Sequence, residues 1–222
     1  LADLSSIRKF SEEVNSEMNS IDILVNNAGI MMCPYQKTKD GFEMQIGTNH
    51  LGHFALTGLL MDKIKSSQNS RVVNVSSLYH RRGKINFNDI HSEKKYHPVK
   101  AYQQSKLANL LFTYELAKKF EDANSSTIAV ASHPGWTRTN LQKYKFSFRL
   151  LNPIFAQKTP MGALPTLYGA VADEVKNADY LGPRKLEIWG HPKKVNSSKR
   201  SKDIETTKKL WELSENLTDV KF

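Results

Sequence analysis

Ala101-Tyr102-Gln103-Gln104-Ser105-Lys106-Leu107-Ala108-Asn109 opens a long helical pattern. Within it Leu107, Leu110, Leu111, Tyr114, Leu116 and Ala117 supply an apolar stripe at helical spacing. Tyr102 and Lys106 stand four apart, which places them one turn apart on the same helix face. A free phenol has a pKa of about 10 and is a poor proton donor and acceptor at neutral pH. A neighbouring ammonium favours the phenolate and lowers that value, each pKa unit corresponding to about 1.4 kcal/mol. The pair therefore suits general acid–base work on a carbonyl or an alcohol. The same spacing also fits a solvated helix face, so its neighbours in the chain must decide.

Those neighbours form an ordered set. Asn26-Asn27-Ala28-Gly29 follows an apolar run, Asn49 lies in a long helical pattern, and Val75-Ser76-Ser77 ends a second run. His133-Pro134-Gly135 ends a third, with Thr139 just beyond. Over essentially the whole chain this set resembles the short-chain dehydrogenase/reductase family. The segment from Cys33-Pro34-Tyr35 to Phe54, together with Ser105 to Asn109, is most similar to its retinol-dehydrogenase-like group.

The resemblance implies roles residue by residue. Tyr102 is the expected acid/base. Lys106 lowers its pKa and holds the nicotinamide ribose, Ser77 orients the substrate oxygen, and the backbone carbonyl of Asn49 holds a water in a relay to Lys106. Ser77 is preferred to Ser76 because it matches the second Ser of the family motif. The turn at Asn26, Ala28 and Gly29, the segment Pro134-Gly135 and the hydroxyl of Thr139 are expected against the cofactor, together with Tyr102 and Lys106. NADP is the leaning for that cofactor, with NAD left open. The expected substrate is a small lipophilic alcohol or carbonyl compound, such as a retinoid, a steroid or an aliphatic aldehyde.

Composition narrows the class. At 222 residues, with 39% hydrophobic residues, the chain reads as one domain over 1–222 with ample length for a core. Cys33 is the only cysteine, which rules out an intrachain disulfide and points to a reducing, cytoplasmic setting. No run approaches 18 apolar residues. The net charge of +10 permits attraction to acidic lipid, nucleic acid or a phosphorylated cofactor. No nucleic-acid motif accompanies it, so nucleic acid is not an expected partner. The scattered His80, His91 and His97, without a Cys or carboxylate cluster, predict no metal site.

In chain order, the patterns predict a Ser-capped helix over 5–19 with Ile7, Phe10, Val14 and Met18 on one face. A strand over 21–26, apolar enough to be buried on both faces, follows. One long or two abutting helices occupy 40–67, where close packing justifies some of Gly47, Gly52 and Gly58. The resemblance leaves a homodimer through that helix open. Strands are predicted over 71–75 and 127–133, with a final short strand within 180–189, and helices over 160–172 and 204–217. The long interval between Ser77 and Tyr102 is a candidate wall of the substrate site. The apolar and basic segment 140–159 is either core or a flap, and as a flap it leaves contact with a membrane surface open.

The expected fold is the C-terminal part of a doubly wound, mostly parallel α/β sheet of the Rossmann type. No Gly-rich phosphate-binding turn occurs in the 222 residues, and the family places it before the region matching Leu1. The chain is therefore expected to lack about 60 N-terminal residues, two βαβ units taking about 30 each. Expressed alone, it is expected to be poorly soluble and not to bind the cofactor. Two other classes stay open: a catalytically silent binding or scaffold protein on this fold, and a basic membrane- or nucleic-acid-binding module.

Overall fold

The computed structural model describes residues 1–137 and 156–222. Within them the apolar runs form one five-stranded sheet. Its strands are β1 (Ile23–Asn26), β2 (Arg71–Val75), β3 (Ile128–Ser132), β4 (Tyr180–Lys185) and β5 (Trp189–Lys194), in that spatial order. The first four are parallel, and β5 returns antiparallel to β4. The register aligns Val25 with Val73 and Val73 with Val130, so one apolar row crosses three strands.

Two strand expectations need correction. The run at 21–26 forms β1 but lies at the sheet edge, with Ile23 and Val25 42% and 39% exposed. Burial on both faces fails there because only β2 flanks it. The short strand expected within 180–189 is β4, but it is not the final one: β5 follows and pairs with it as a hairpin. β5 was hidden in the sequence because Gly190, Pro192 and two lysines obscure its pattern; Pro is tolerated there because an edge strand needs fewer donors.

Helices cover both faces of the sheet. On one face lie α1 (Leu4–Glu17) and the broken segment α2 (Met44–Ile46), a π turn (Gly47–Leu51), α3 (Gly52–Leu59) and α4 (Met61–Lys65). Beside them runs α5 (Pro98–Asp122), which begins on Pro98, where a missing N–H is harmless. On the other face α6 (Thr159–Val171) packs Ala170 on Val73, Val130 and Leu181. The cap of α1 is Asp3 rather than a serine: its Oδ1 accepts from the backbone N–H groups of Ser5 and Ser6 at 2.9 and 3.3 Å. Phe10 and Met18 point to solvent, whereas Ile7 is buried and Val14 packs on the core.

The last helix, α7 (Ile204–Thr218), closes the α3/α5 side. Phe54 is fully buried with its ring centroid 5.4 Å from Phe112, 5.0 Å from Trp211 and 4.9 Å from Phe222. Gly58 explains one of the helix glycines, since a methyl group there would stand 2.4 Å from the Phe222 ring. Phe54 and Gly58 of α3 are thus covered by this chain's own C-terminal residues. Much of the 77–102 interval also packs inward, Ile85 and Ile90 joining Leu107 and Leu111. Among the described residues no helix is long and apolar enough to cross a membrane. The segment 140–155, the larger part of the expected flap, and Thr139 lie outside the described residues.

Three histidines are buried in or against this helical layer. Burial lowers His50 to about 3, His53 to about 4 and His80 to about 4. Folded, they stay neutral at mild acid pH; unfolded, each takes up a proton below about 6.5. Acid therefore favours the unfolded chain, and stability present above about pH 6.5 is lost as pH falls toward 4. By pH 5 each fully shielded ring accounts for up to about 2 kcal/mol. The urea midpoint should drop clearly between pH 7 and pH 5, and His50→Leu should flatten that slope. A midpoint indifferent to pH over this range would contradict neutral burial.

Candidate active site

The carboxyl ends of β1, β2 and β3 open into one cavity of about 960 Å³, the position at which open parallel sheets bind ligands. Three polypeptide turns leave the sheet there. Asn27-Ala28-Gly29 follows β1, Ser76-Ser77 follows β2, and Pro134-Gly135 follows β3; all line the cavity. α5 crosses behind them and contributes Tyr102 and Lys106 to the same wall.

Ser77 has extended backbone and caps a short 3-10 turn, Leu78–Arg82, its Oγ accepting from Tyr79 N–H at 3.3 Å. It lines the same cavity as the Tyr102 phenol and is close enough to act on its ionisation. Ser76 is occupied elsewhere: its Oγ donates to the backbone oxygen of Lys106 at 2.7 Å. Both serines line the cavity, and the Ser76 hydroxyl is the one committed to α5.

The expected electrostatics are reversed at Tyr102. Burial pushes its phenol up to about 12, and Ser77 offsets this only in part. The Lys106 Nζ stands 5.9 Å from the ring centroid but donates to the Val75 carbonyl at 3.0 Å. It is itself lowered to about 8 by burial. Spacing alone could not show this, because it reveals that two groups are neighbours and not how little water they share. The arrangement holds Tyr102 as a neutral phenol, a proton donor, at physiological pH.

Asn49 acts as a strut. Its Oδ1 accepts from Ile30 N–H at 2.8 Å, and its Nδ2 donates to Ile30 O and to Ser105 Oγ, both at 2.9 Å. The π turn Gly47–Leu51 carries it, and its backbone carbonyl, expected to hold a water, accepts from His53 Nδ1 at 3.0 Å. Asn26 is not brought to the cavity. Its Nδ2 donates to Thr57 Oγ1 and to Asn74 Oδ1 at 3.0 and 2.8 Å, so it braces β1 against β2 and α3. An inward-facing strand residue and the loop after it look alike in sequence; here the loop residues, not Asn26, reach the cavity.

The residues present fit the nicotinamide–ribose end of a dinucleotide. A methyl group on Gly29 would lie 3.0 Å from Asn49 Oδ1, so a bare backbone there lets the turn sit tightly against Asn49, with the Lys106 ammonium close by. Gly135 has φ +64°, and a Cβ there would stand 2.4 Å from the backbone oxygen of Ile188. Met31, Leu78, Tyr79, Trp136, Leu167 and Ile188 make the remaining wall largely apolar. None of these was singled out from the sequence, because they come from five separated segments. Asn109 was also missed, although its place three residues after Lys106 on one helix face was the available signal; its Nδ2 donates to Val75 O at 3.0 Å. Among the described residues no group of His, Cys, Asp and Glu converges to hold a metal ion.

A mostly parallel sheet covered by helices on both faces, with Ser77, Tyr102 and Lys106 at its carboxyl edge, defines an α/β protein of the Rossmann type. The sequence model described as short chain dehydrogenase matches residues 1–149. The chain is 43% identical to human retinol dehydrogenase 14, covering 97% of this chain and 64% of that protein. It is 42% identical to human retinol dehydrogenase 12, covering 100% of this chain and 69% of that protein. A crystal structure of an uncharacterized protein from Mycobacterium paratuberculosis superposes with a TM-score of 0.82 at 43% identity, over all of this chain and 74% of that one. The chain belongs to the short-chain dehydrogenase family. It spans about two-thirds of the length of the curated relatives it matches.

The buried ammonium gives a prediction about stability. Below about pH 8 the folded chain carries the Lys106 charge at a desolvation cost, up to about 3 kcal/mol from the lowering of its pKa. Lys106→Met removes that charge and keeps the stem, while Asn109 still satisfies the Val75 carbonyl. The variant should be more stable than the parent at pH 7, by about 1–3 kcal/mol, with the gain fading between about pH 8 and the unfolded value of about 10.4. Denaturant titration at pH 7 and pH 10 measures this. A variant less stable at pH 7 would show that the bond to the Val75 carbonyl outweighs the cost of burying the charge.

Proposed function

We propose that the protein is an NAD(P)(H)-dependent oxidoreductase that interconverts a lipophilic alcohol and the corresponding carbonyl compound. The carrying observation is the convergence of the Ser77 hydroxyl, the Tyr102 phenol and the Lys106 ammonium on one wall of a largely apolar cavity. Membership of the family and the retinol dehydrogenases among its relatives support the reaction type and the substrate class.

Bound nicotinamide supplies the hydride in such chemistry. The chain's own residues deal with the oxygen and its proton. Ser77 and Tyr102 present two hydroxyls to a substrate carbonyl, which fixes the oxygen and polarises it. Tyr102, protonated at neutral pH, donates its proton to that oxygen as charge develops there, and takes it back when an alcohol is oxidised. Lys106, mostly protonated at pH 7, stabilises the phenolate so formed and faces the turn at Gly29, where ribose hydroxyls would be held. Pro134, Gly135 and Thr137 supply the rim on the β3 side. These residues serve NAD(H) and NADP(H) alike. The apolar wall excludes water and suits a hydrocarbon chain or ring system.

Tyr102→Phe tests the assignment, since it deletes one oxygen and almost no volume. In the full-length protein kcat/KM for an aliphatic or retinoid aldehyde should fall by about 10²- to 10⁴-fold, the usual contribution of a general acid. Affinity for NAD(P)H, read by fluorescence titration, should persist. Turnover near that of the parent would remove Tyr102 from the mechanism and with it the proposed chemistry.

A further inference from the structure

We infer that His80 is a positioning residue for Ser77, a fixed-tautomer imidazole that ties the substrate-orienting turn to the C-terminal segment. The inference rests on the reading that Ser77 and Tyr102 act on the substrate. His80 is fully buried in the 3-10 turn that Ser77 caps. Its Nδ1 lies 2.7 Å from the backbone oxygen of Ser77, and its Nε2 lies 3.1 Å from the backbone nitrogen of Ser198.

The two partners decide the tautomer. A carbonyl oxygen only accepts, so Nδ1 carries the hydrogen and donates it to Ser77. A backbone N–H only donates, so Nε2 is bare and accepts from Ser198. Burial, which lowers the ring to about 4, keeps it in this neutral form; Arg81 and His133 act in the same direction, and Ser77 and Glu187 oppose it. The ring stands edge-on to Tyr180 at 5.5 Å and 88°, which fixes its plane.

The consequence falls on Ser77. Its carbonyl receives two N–H groups, from the His80 ring and from the His80 backbone at 3.1 Å. The backbone bond forms the turn; the ring bond fixes the angle of the peptide plane that carries the Ser77 side chain toward Tyr102. Ser198 anchors the far side of the ring, and Arg81 and Arg200 tie the same two segments by donating to Asn196 O and Gly83 O at 2.9 and 3.1 Å. The ring thus transmits the position of the 196–200 segment to the hydroxyl of Ser77.

Two amides separate the roles of the two nitrogens. His80→Asn places a donor where Nδ1 stands, so it retains the bond to Ser77 and loses the one to Ser198. His80→Gln reaches the Nε2 position and accepts from Ser198, but gives up the short bond to Ser77. Full-length variants are compared in kcat, KM, NAD(P)H affinity and melting temperature. The expected result is a kcat loss of about 10- to 100-fold in His80→Gln, as for a displaced reacting group, and a much smaller loss in His80→Asn. NAD(P)H affinity should match the parent in both, and kcat should not follow melting temperature. Equal kcat in the two variants, or kcat that simply tracks melting temperature, overturns the inference and leaves His80 a packing residue.

Should His80→Gln fail to fold, Ser198→Pro decides. Ser198 has φ −69°, which proline adopts without strain, so the change deletes the N–H that fixes the tautomer, and Ser198→Ala serves as the control for loss of the hydroxyl. A several-fold loss of kcat with unchanged NAD(P)H affinity supports the positioning role; an unaltered kcat overturns it. Tyr102→Phe run in parallel separates the two levels. If that variant is inactive while His80→Gln equals His80→Asn, only the role of His80 fails. If Tyr102→Phe is active, the reading of Ser77 and Tyr102 fails beneath it.

Discussion

The carbonyl oxygen of Val75, last residue of β2, accepts from both the Lys106 ammonium and the Asn109 amide at 3.0 Å. A strand end of this kind normally has a free acceptor that water satisfies. Here α5 lies so close that water is replaced by two of its own side chains, one charged. The Ser76 hydroxyl returns the bond from the strand side by donating to the Lys106 carbonyl at 2.7 Å. This three-bond clasp fixes where along the sheet α5 lies, and the positions of Tyr102, Ser77 and the Gly29 turn follow from it. A registry shift of one turn in α5 would leave both the ammonium and the Val75 oxygen unpaired, at several kcal/mol.

The clasp also sets the chemistry. The burial that holds α5 in place raises the phenol of Tyr102 to about 12 and lowers the ammonium of Lys106 to about 8, so two groups whose ordinary values nearly coincide are drawn apart. Both shifts favour the uncharged forms, so Tyr102 keeps its proton until charge develops on a substrate oxygen beside it. Asn49, Asn26 and Asn74 extend the pattern, bracing loops and strands with side-chain amides where a purely apolar core would leave the sheet end loose. Polar bonding near the site and aromatic packing beneath α3 and α7 divide the work of holding the fold.

Much of this was legible in the sequence because it depends on local spacing. The Tyr102–Lys106 separation, the strand ends before Gly29, Ser77 and Gly135, and the parallel α/β plan follow from runs and turns that the chain carries in plain order. Properties that depend on what lies across space were not legible. The acidity of Tyr102 depends on its desolvation, the inward turn of Asn26 depends on Thr57 and Asn74, and the exposure of Ile23 and Val25 depends on which strands flank β1. β5 was hidden because its sequence carries edge-strand chemistry rather than a core pattern. His80 looked like a stray histidine, and its meaning depends on Ser198, far along the chain.

The central claim is that this wall of hydroxyls and ammonium delivers a proton to an oxygen while a hydride reaches the carbon beside it. Mass spectrometry of the product formed from a lipophilic aldehyde and NADPH deuterated at the transferable position of C4 tests this directly. The full-length protein should yield an alcohol with one deuterium on the carbinol carbon, in light water, from one of the two stereochemically labelled cofactors and not from the other. No alcohol, or alcohol free of deuterium with both labelled cofactors, would contradict it.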